Sequence, residues 1–339
     1  MTAVAKLAGH LKKHLLWYAL SSIGLGWGTG LVVPQFIQSH QSVLNVLITV
    51  FVFLMIYPMM ISMDLSKIPG VFKKPKPILL AVVYNFVITP LLSLLFVSLF
   101  LPDPEIAIGF MLVMLIPGSS MSLGYTGLVE GSMELATVAM GFVFILIPIL
   151  LPFFIGFLGN AYHVAIPLDL LLGTVGAVLI LPLIAGDLTR RGLIKVKGVA
   201  GYNNAKPLFS LVTMTTMLLM VFLIFALKAP TLVKQAPLVL NLAGITFVYL
   251  AIMFALMTVV NKLFKISYGE HMAIAFLSTG KNNGTAIAIA MLAFTPMVAI
   301  PAAILPVFQI VFSIGYVSLA HKIKEYFLGK KNKEVRNGL

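Results

Sequence analysis

One ionisable residue interrupts an otherwise apolar stretch of this 339-residue chain: between His271 and His321, Lys281 is the only charged side chain. A lysine surrounded by hydrocarbon is costly, so an intramembrane lysine marks a functional site by default. It stands in Phe276-Leu-Ser-Thr-Gly-Lys-Asn-Asn-Gly-Thr285. Gly280 and Gly284 loosen the backbone, and Ser278, Thr279, Asn282, Asn283 and Thr285 supply hydroxyls and amides. The segment therefore reads as an interrupted helix lining a cavity. A second interruption lies at Leu115-Ile-Pro-Gly-Ser-Ser-Met-Ser122. Pro117 removes a backbone donor and Gly118 frees the chain, while Ser119, Ser120 and Ser122 offer hydroxyls. Asn85 sits in a third apolar run and is expected to face the bundle, where its amide finds partners.

These residues suit binding better than catalysis. The serines have no histidine or carboxylate base at recognisable spacing, so no enzyme is expected. The chain has no cysteine, which excludes disulfides, thiolate metal sites and thiol nucleophiles. The six histidines fall at span edges or in tails without metal-ligand spacing, and no metal is expected.

The elements that position these groups are membrane helices. The chain is 60% hydrophobic and 10% charged, with a mean hydropathy of +1.07, far from a soluble globule at about 25% charged. Apolar runs of about 20 residues fall at roughly 15–33, 43–63, 77–101, 106–128, 133–158, 165–186, 207–227, 236–260, 272–295 and 297–320. They are long and uniformly apolar, unlike the short alternating segments of a β-barrel. Gly24-Leu-Gly-Trp-Gly-Thr-Gly30 reads as a helix-packing ladder. The methionines of Met55-Ile-Tyr-Pro-Met-Met60 read as adaptable packing beside a proline kink.

The basic residues orient the spans. The net charge of +13 does not point to nucleic acid, because no basic soluble domain exists to hold it. Lys6, Lys12 and Lys13 lie in the N-terminal segment, and Lys67, Lys73, Lys74 and Lys76 in the second inner segment. Arg190, Arg191, Lys195, Lys197 and Lys206 follow, then Lys262 and Lys265, then Lys322, Lys324, Lys330, Lys331, Lys333 and Arg336. With both termini inside, all 23 but Lys228, Lys234 and Lys281 are cytoplasmic.

The expectation is an all-α integral membrane protein of ten transmembrane helices, multi-pass in the cell membrane, with cytoplasmic N- and C-termini. The polar breaks fall in the fourth and ninth spans, so the chain divides into an inverted repeat of 5+5 spans with discontinuous fourth and ninth helices. Residues 1–186 hold the first repeat (spans 1–5) and the start of the second (span 6). A basic cytoplasmic connector follows at 187–206. Residues 207–320 carry spans 7–10, and 321–339 form a basic cytoplasmic tail.

The motifs resemble the bile acid:sodium symporter and arsenical-resistance superfamily of ten-helix transporters over nearly the whole chain. Pro117-Gly118-Ser119, with Tyr125 and Gly131, is similar to the symporters' fourth-helix motif. Thr279-Gly-Lys-Asn-Asn283 is similar to their ninth-helix Gly-x-Gln-Asn motif. Met55-Ile-Tyr-Pro58, Asn85-Phe-Val-Ile-Thr-Pro-Leu91 and the Asn282-Asn283 pair look closer to the arsenite-efflux branch. The resemblance implies secondary transport, and it implies sodium ligands that this chain lacks. The ninth-helix carboxylate position is Ser278, the fourth-helix Asn position is Leu123, and the fifth-span hydroxyl positions are Ala136 and Met140. The arsenite branch's cysteine position is Gly118, and its ninth-helix glutamate position is Thr285.

The expected function is therefore a secondary active transporter of a small organic anion or inorganic oxyanion by alternating access. Lys281 would replace sodium, giving sodium-independent or proton-coupled transport. The alternatives are an arsenite/antimonite-type efflux permease and a non-transporting membrane ligand receptor. No cofactor is expected; protons rather than sodium are the candidate coupling ion. The partners are a small anionic or metalloid substrate and the lipid bilayer, with a homodimer left open and nucleic acid excluded.

Overall fold

The computed structural model describes residues 3–161, 168–234 and 236–328. His163 and the tail residues Lys330, Lys331, Lys333 and Arg336 lie outside the described residues. The chain opens with α1 (Ala3–Lys13), α2 (Leu15–Val32), α3 (Pro34–Ser39) and α4 (Gln41–Ile61). A 3₁₀ turn over Leu65–Lys73 leads to α5 (Pro75–Val83), which runs through a π-turn at Tyr84–Ile88 into α6 (Thr89–Phe100). Then come α7 (Pro104–Met114), α8 (Ser120–Leu128), α9 (Met133–Ala161) and α10 (Leu168–Val175). A π-turn at Gly176–Ile180 joins α10 to α11 (Leu181–Lys234), followed by α12 (Ala236–Leu263) and α13 (Tyr268–Thr279). The last elements are α14 (Asn283–Ala293), α15 (Pro296–Ser318) and α16 (Ala320–Leu328).

Among the described residues, seven helical segments are long and apolar enough to cross a membrane, and the shorter apolar helices Pro104–Met114 and Asn283–Ala293 accompany them. Long uninterrupted helices suit this composition, because in lipid each backbone donor must be answered within its own segment. The π-turn before Pro90 answers the same constraint. Proline lacks the N–H that would close a regular turn, and the wider turn re-pairs the local carbonyls.

Residues 187–206 are helical. They belong to α11, whose backbone leaves helical geometry at Gly198 (φ 68°). Two of the four glycines of the first-span ladder do the packing expected of them. A Cβ at Gly26 would lie 2.3 Å from the carbonyl oxygen of Phe222, and one at Gly30 2.3 Å from that of Ala226. Gly24 and Gly28 have nothing within 4 Å. Backbone contact between α2 and α11 is thus set by the Gly26-x-x-x-Gly30 pair.

Ion pairs tie separate connections together at one end of the bundle. Arg190 meets Asp64 at 2.6 Å, Lys74 meets Glu270 at 3.0 Å and Lys324 meets Glu130 at 2.8 Å. Beneath them runs a chain of hydrogen bonds. Tyr84 Oη donates to Asn261 Oδ1 at 2.9 Å, and the Asn261 amide nitrogen meets His271 Nδ1 at 2.9 Å. His271 Nε2 meets Tyr316 Oη at 2.7 Å, Tyr316 Oη meets Thr258 Oγ1 at 2.6 Å, and Thr258 donates to the Phe254 carbonyl at 2.6 Å. The terminal carbonyl can only accept, so every hydroxyl in the chain must donate toward it. His271 therefore carries its proton on Nε2 and accepts at Nδ1. This chain fixes the π-turn at Tyr84–Ile88, α12, α13 and α15 to one another.

Candidate functional site

The two sequence breaks meet. α7 ends at Met114 and α8 begins at Ser120; α13 ends at Thr279 and α14 begins at Asn283. The intervening strands cross, and Pro117 and Lys281 form an isolated antiparallel bridge. Asn282 N–H donates to Ile116 O at 2.8 Å, while Gly118 N–H and Ser119 N–H donate to Gly280 O at 3.1 and 3.2 Å. Each break thus satisfies polar backbone groups that the other leaves open, which a non-helical segment at membrane depth requires.

Two glycines permit the crossing. Gly118 has φ 82°, a left-handed conformation that disfavours other residues. At Gly280 a Cβ would fall 2.0 Å from Ser122 Oγ and 2.6 Å from the Phe276 carbonyl oxygen. Gly284, expected as part of the break, lies instead in the first turn of α14. Asn282 caps that helix, its Oδ1 accepting from Thr285 N–H at 3.1 Å. No side chain caps α8 at Ser119.

A narrow cleft opens beside the crossing. Of the sequence-selected residues it is lined by Ser119, Ser122, Gly280, Lys281, Asn282, Asn283 and Gly284. The N-terminal ends of α8 and α14 both border it. Its other wall is apolar and rich in methionine, with Met55, Met59, Met121, Met214 and Met217. No aspartate or glutamate lines it among the described residues. A second cleft shares Met59, Thr213, Met214 and Asn282 with the first and reaches Gly118. Asn282 forms the septum, its Nδ2 donating to Met59 Sδ and to the Gly118 carbonyl, both at 3.4 Å.

The Lys281 amine itself is set away from this cleft. The residue is 1% exposed, and Nζ lies 5.9 Å from the ring centroid of Tyr249 on α12, a helix that contributes nothing to the cleft wall. Nζ has no hydrogen-bond partner among the described residues. Tyr249 Oη is held by Thr89 Oγ1 at 2.8 Å. Asn85 lies behind the crossing too: its Nδ2 donates to the Ala81 carbonyl at 2.8 Å and to Ser278 Oγ at 2.9 Å. Thr279 donates to the Ala275 carbonyl, and the buried Thr285 hydroxyl lacks a partner among the described residues. The selected residues therefore divide into a cleft-lining set and a set packed behind it. The side chain of Ser120 lies outside the described ones.

Several residues of the site were not singled out from sequence. Asn283 Nδ2 donates to Gln309 Oε1 at 2.7 Å, and Gln309 Nε2 and Asn283 Oδ1 are buried without a partner among the described residues. Thr213 Oγ1 is likewise unpartnered. A glutamine near the middle of the last long apolar span was the available signal for Gln309. Tyr249 carried no such mark, since hydroxyl-bearing residues are common in membrane helices.

Apolar helices crossed at two interrupted segments around a central cleft define a membrane transport protein. The chain belongs to the Sodium Bile acid symporter family, which residues 49–235 match. It is similar to an arsenical-resistance protein Acr3 of Alkaliphilus metalliredigens, 24% identical over 67% of this chain and 68% of that protein. It is also similar to the uncharacterized sodium-dependent transporter YocS of Bacillus subtilis, 27% identical over 77% of this chain and 79% of the relative. An uncharacterized transporter of Synechocystis sp. is 26% identical over 84% of this chain and 80% of its own length.

Proposed function

We propose that the protein is a secondary active transporter of small organic anions, working by alternating access, in which the Lys281 ammonium occupies the place of a coupling cation. The observation that carries this is the pairing of two helix N-termini, α8 and α14, on a cleft without a carboxylate. Free N–H groups and the helix dipole favour negative charge there. Gln309 Nε2 and Thr213 Oγ1 add unpartnered donors. The methionine-rich opposite wall favours an anion with an apolar body over a bare oxyanion.

The enclosed Lys281 amine supports a coupling role distinct from substrate contact. A buried charge without a partner is expensive, so the site favours proton loss and gain as its surroundings change, or a fixed charge that removes the need for sodium. Uptake of an organic anion into proteoliposomes tests this. It should proceed equally with sodium or potassium on both sides; strict dependence on a sodium gradient would refute it.

We read the chain as ten spans in two inverted sets of five. The broken pairs α7–α8 and α13–α14 count as the fourth and ninth spans, and α11 counts as more than one. The ion pairs favour this parity. Asp64, Arg190, Glu130, Lys74, Glu270 and Lys324 follow or precede even-numbered spans on one side, the side we assign to the cytoplasm of the cell membrane. Thr295 and Glu105 join at 2.6 Å on the other.

A second reading, arsenite or antimonite efflux, is favoured by the five cleft methionines and by the name of the Acr3 relatives. The chain offers thioethers but no thiol. Protection of cells by expression against arsenite, lost in a Met55/Met59 double leucine variant, would favour it over the organic anion.

A further inference from the structure

Lys12 is an exposed charged residue set between buried positions of one helix face. Ala8, Lys12, Leu15 and Ala19 recur at helical spacing from α1 into α2, and Ala8, Leu15 and Ala19 are 7%, 3% and 1% exposed. A face built only for packing would carry an apolar residue at the second position. The Lys12 ammonium lies instead against α8. A Cβ at Gly124 would fall 2.7 Å from Nζ and 3.2 Å from Cε, so the missing side chain at Gly124 is what gives the ammonium room.

That position is the rim of the cleft on both walls. Leu15, three residues beyond Lys12, lines the cleft, and so does Met121, three residues before Gly124. Leu15, Ala19, Leu218 and Ile310 form a small apolar cluster separate from the main core, with Leu11, Met121 and Met217 packed on it. Leu15, Met121, Met217 and Ile310 of this cluster line the cleft and form an apolar collar there. Lys74, Arg190, Arg191 and Lys324 are each paired with a carboxylate. Lys12 has neither an ion pair nor a hydrogen bond among the described residues. Although Lys12 is exposed to solvent, neighbouring protein partly desolvates the ammonium and draws its pKa below the ordinary lysine value.

We propose that Lys12 is the rim binding site for the anion: it holds the carboxylate or sulfonate group while the apolar body passes the Leu15–Ile310 collar. This rests on the reading of the cleft as an organic-anion site. A charge at a rim acts on capture and salt dependence more than on the bound state.

Naphthalene-2-sulfonate, charged at every working pH, is the probe, and neutral naphthalene-2-sulfonamide is its control. Binding to the purified full chain is read by fluorescence, and sulfonate uptake is read in proteoliposomes. Lys12→Gln should raise the half-saturating sulfonate concentration about two- to fivefold, the scale of an exposed charge contact. It should also flatten the salt dependence, with maximal uptake and sulfonamide binding unchanged. Lys12→Arg should restore affinity. Wild-type binding of sulfonate with unchanged affinity in Lys12→Gln overturns the rim site alone. Failure of the wild-type protein to prefer sulfonate over sulfonamide overturns the anion reading beneath it. Equal loss of both probes in Lys12→Gln reduces the residue to a packing role and also overturns the proposal.

Discussion

Pro117 and Lys281 face each other in an antiparallel bridge, flanked by hydrogen bonds from Asn282 to Ile116 and from Gly118 to Gly280. The lysine backbone thus closes the crossing while its side chain reaches the other way, to the ring of Tyr249. One residue joins the wall of the cleft to the packed region behind it.

The crossing makes Gly280 intolerant of any side chain. Gly280→Ala would drive a Cβ to 2.0 Å from Ser122 Oγ, and relief by backbone movement should cost about 1–3 kcal/mol. We expect a lowered Tm in detergent and loss of transport. Gly28→Ala, with open space around it, should be neutral or stabilising by about 0.5–1 kcal/mol. Equal melting temperatures for the two variants would contradict the role given to the crossing.

Lys281→Met should separate stability from function. It replaces an enclosed, unpartnered amine with an apolar chain of similar length, and substitutions of buried charge by apolar groups gain about 1–4 kcal/mol in comparable cases. Thermal melting should rise while anion uptake in proteoliposomes falls to background. A destabilised Lys281→Met protein would mean that the amine has partners essential to the fold.

Gln309 holds Asn283, and its own amide nitrogen is buried beside the cleft without a partner among the described residues. Gln309→Leu removes both and should weaken anion binding roughly tenfold, as for a lost buried hydrogen bond. Gln309→Glu should weaken it further by repulsion. Titration of both variants with the same anion checks the order; a Glu variant that binds as well as wild type would exclude an anion at this end.

The α16 helix is anchored in part by Lys324 on Glu130, whose hydrogen bond and charge hold the Glu130 carboxyl below the usual glutamate value. A carboxylate with a lowered folded-state pKa contributes stability above its unfolded value and loses it as pH falls through the folded one. Protection of the α16 amides, taken relative to the intrinsic exchange rate at each pH, should therefore fall only on acidification below about pH 4. Glu130→Gln should show the lower protection already at neutral pH. The pair is exposed, so the change should be modest.

The membrane class and the importance of the two breaks were legible because hydropathy and helix-breaking residues act locally. Lys281 stood out for the same reason: one charge in an apolar run is visible without coordinates. What sequence did not convey was direction. Lys281 and Asn282 are adjacent, yet one side chain packs toward Tyr249 and the other divides two clefts, a difference created by extended backbone rather than by residue type. Gln309 and Thr213 reach the site from helices whose own patterns are unremarkable, and such convergence is a property of packing. The connector at 187–206 read as a break because it is polar and basic; it is helical because it carries good helix formers, with Gly198 absorbing the change of direction.

The hydrogen-bond chain from Tyr84 to the Phe254 carbonyl has a consequence for proton traffic. Its single polarity leaves His271 with no vacant position: Nδ1 is occupied by an amide donor and Nε2 by its own proton. A proton arriving at Nδ1 would require the Asn261 amide to turn over and Tyr84 to reverse its donation. The histidine is thus wired as a one-way rivet, excluded from any relay by the neighbours that hold it. If protons cross this protein, they must do so without the only fully buried imidazole among its described residues.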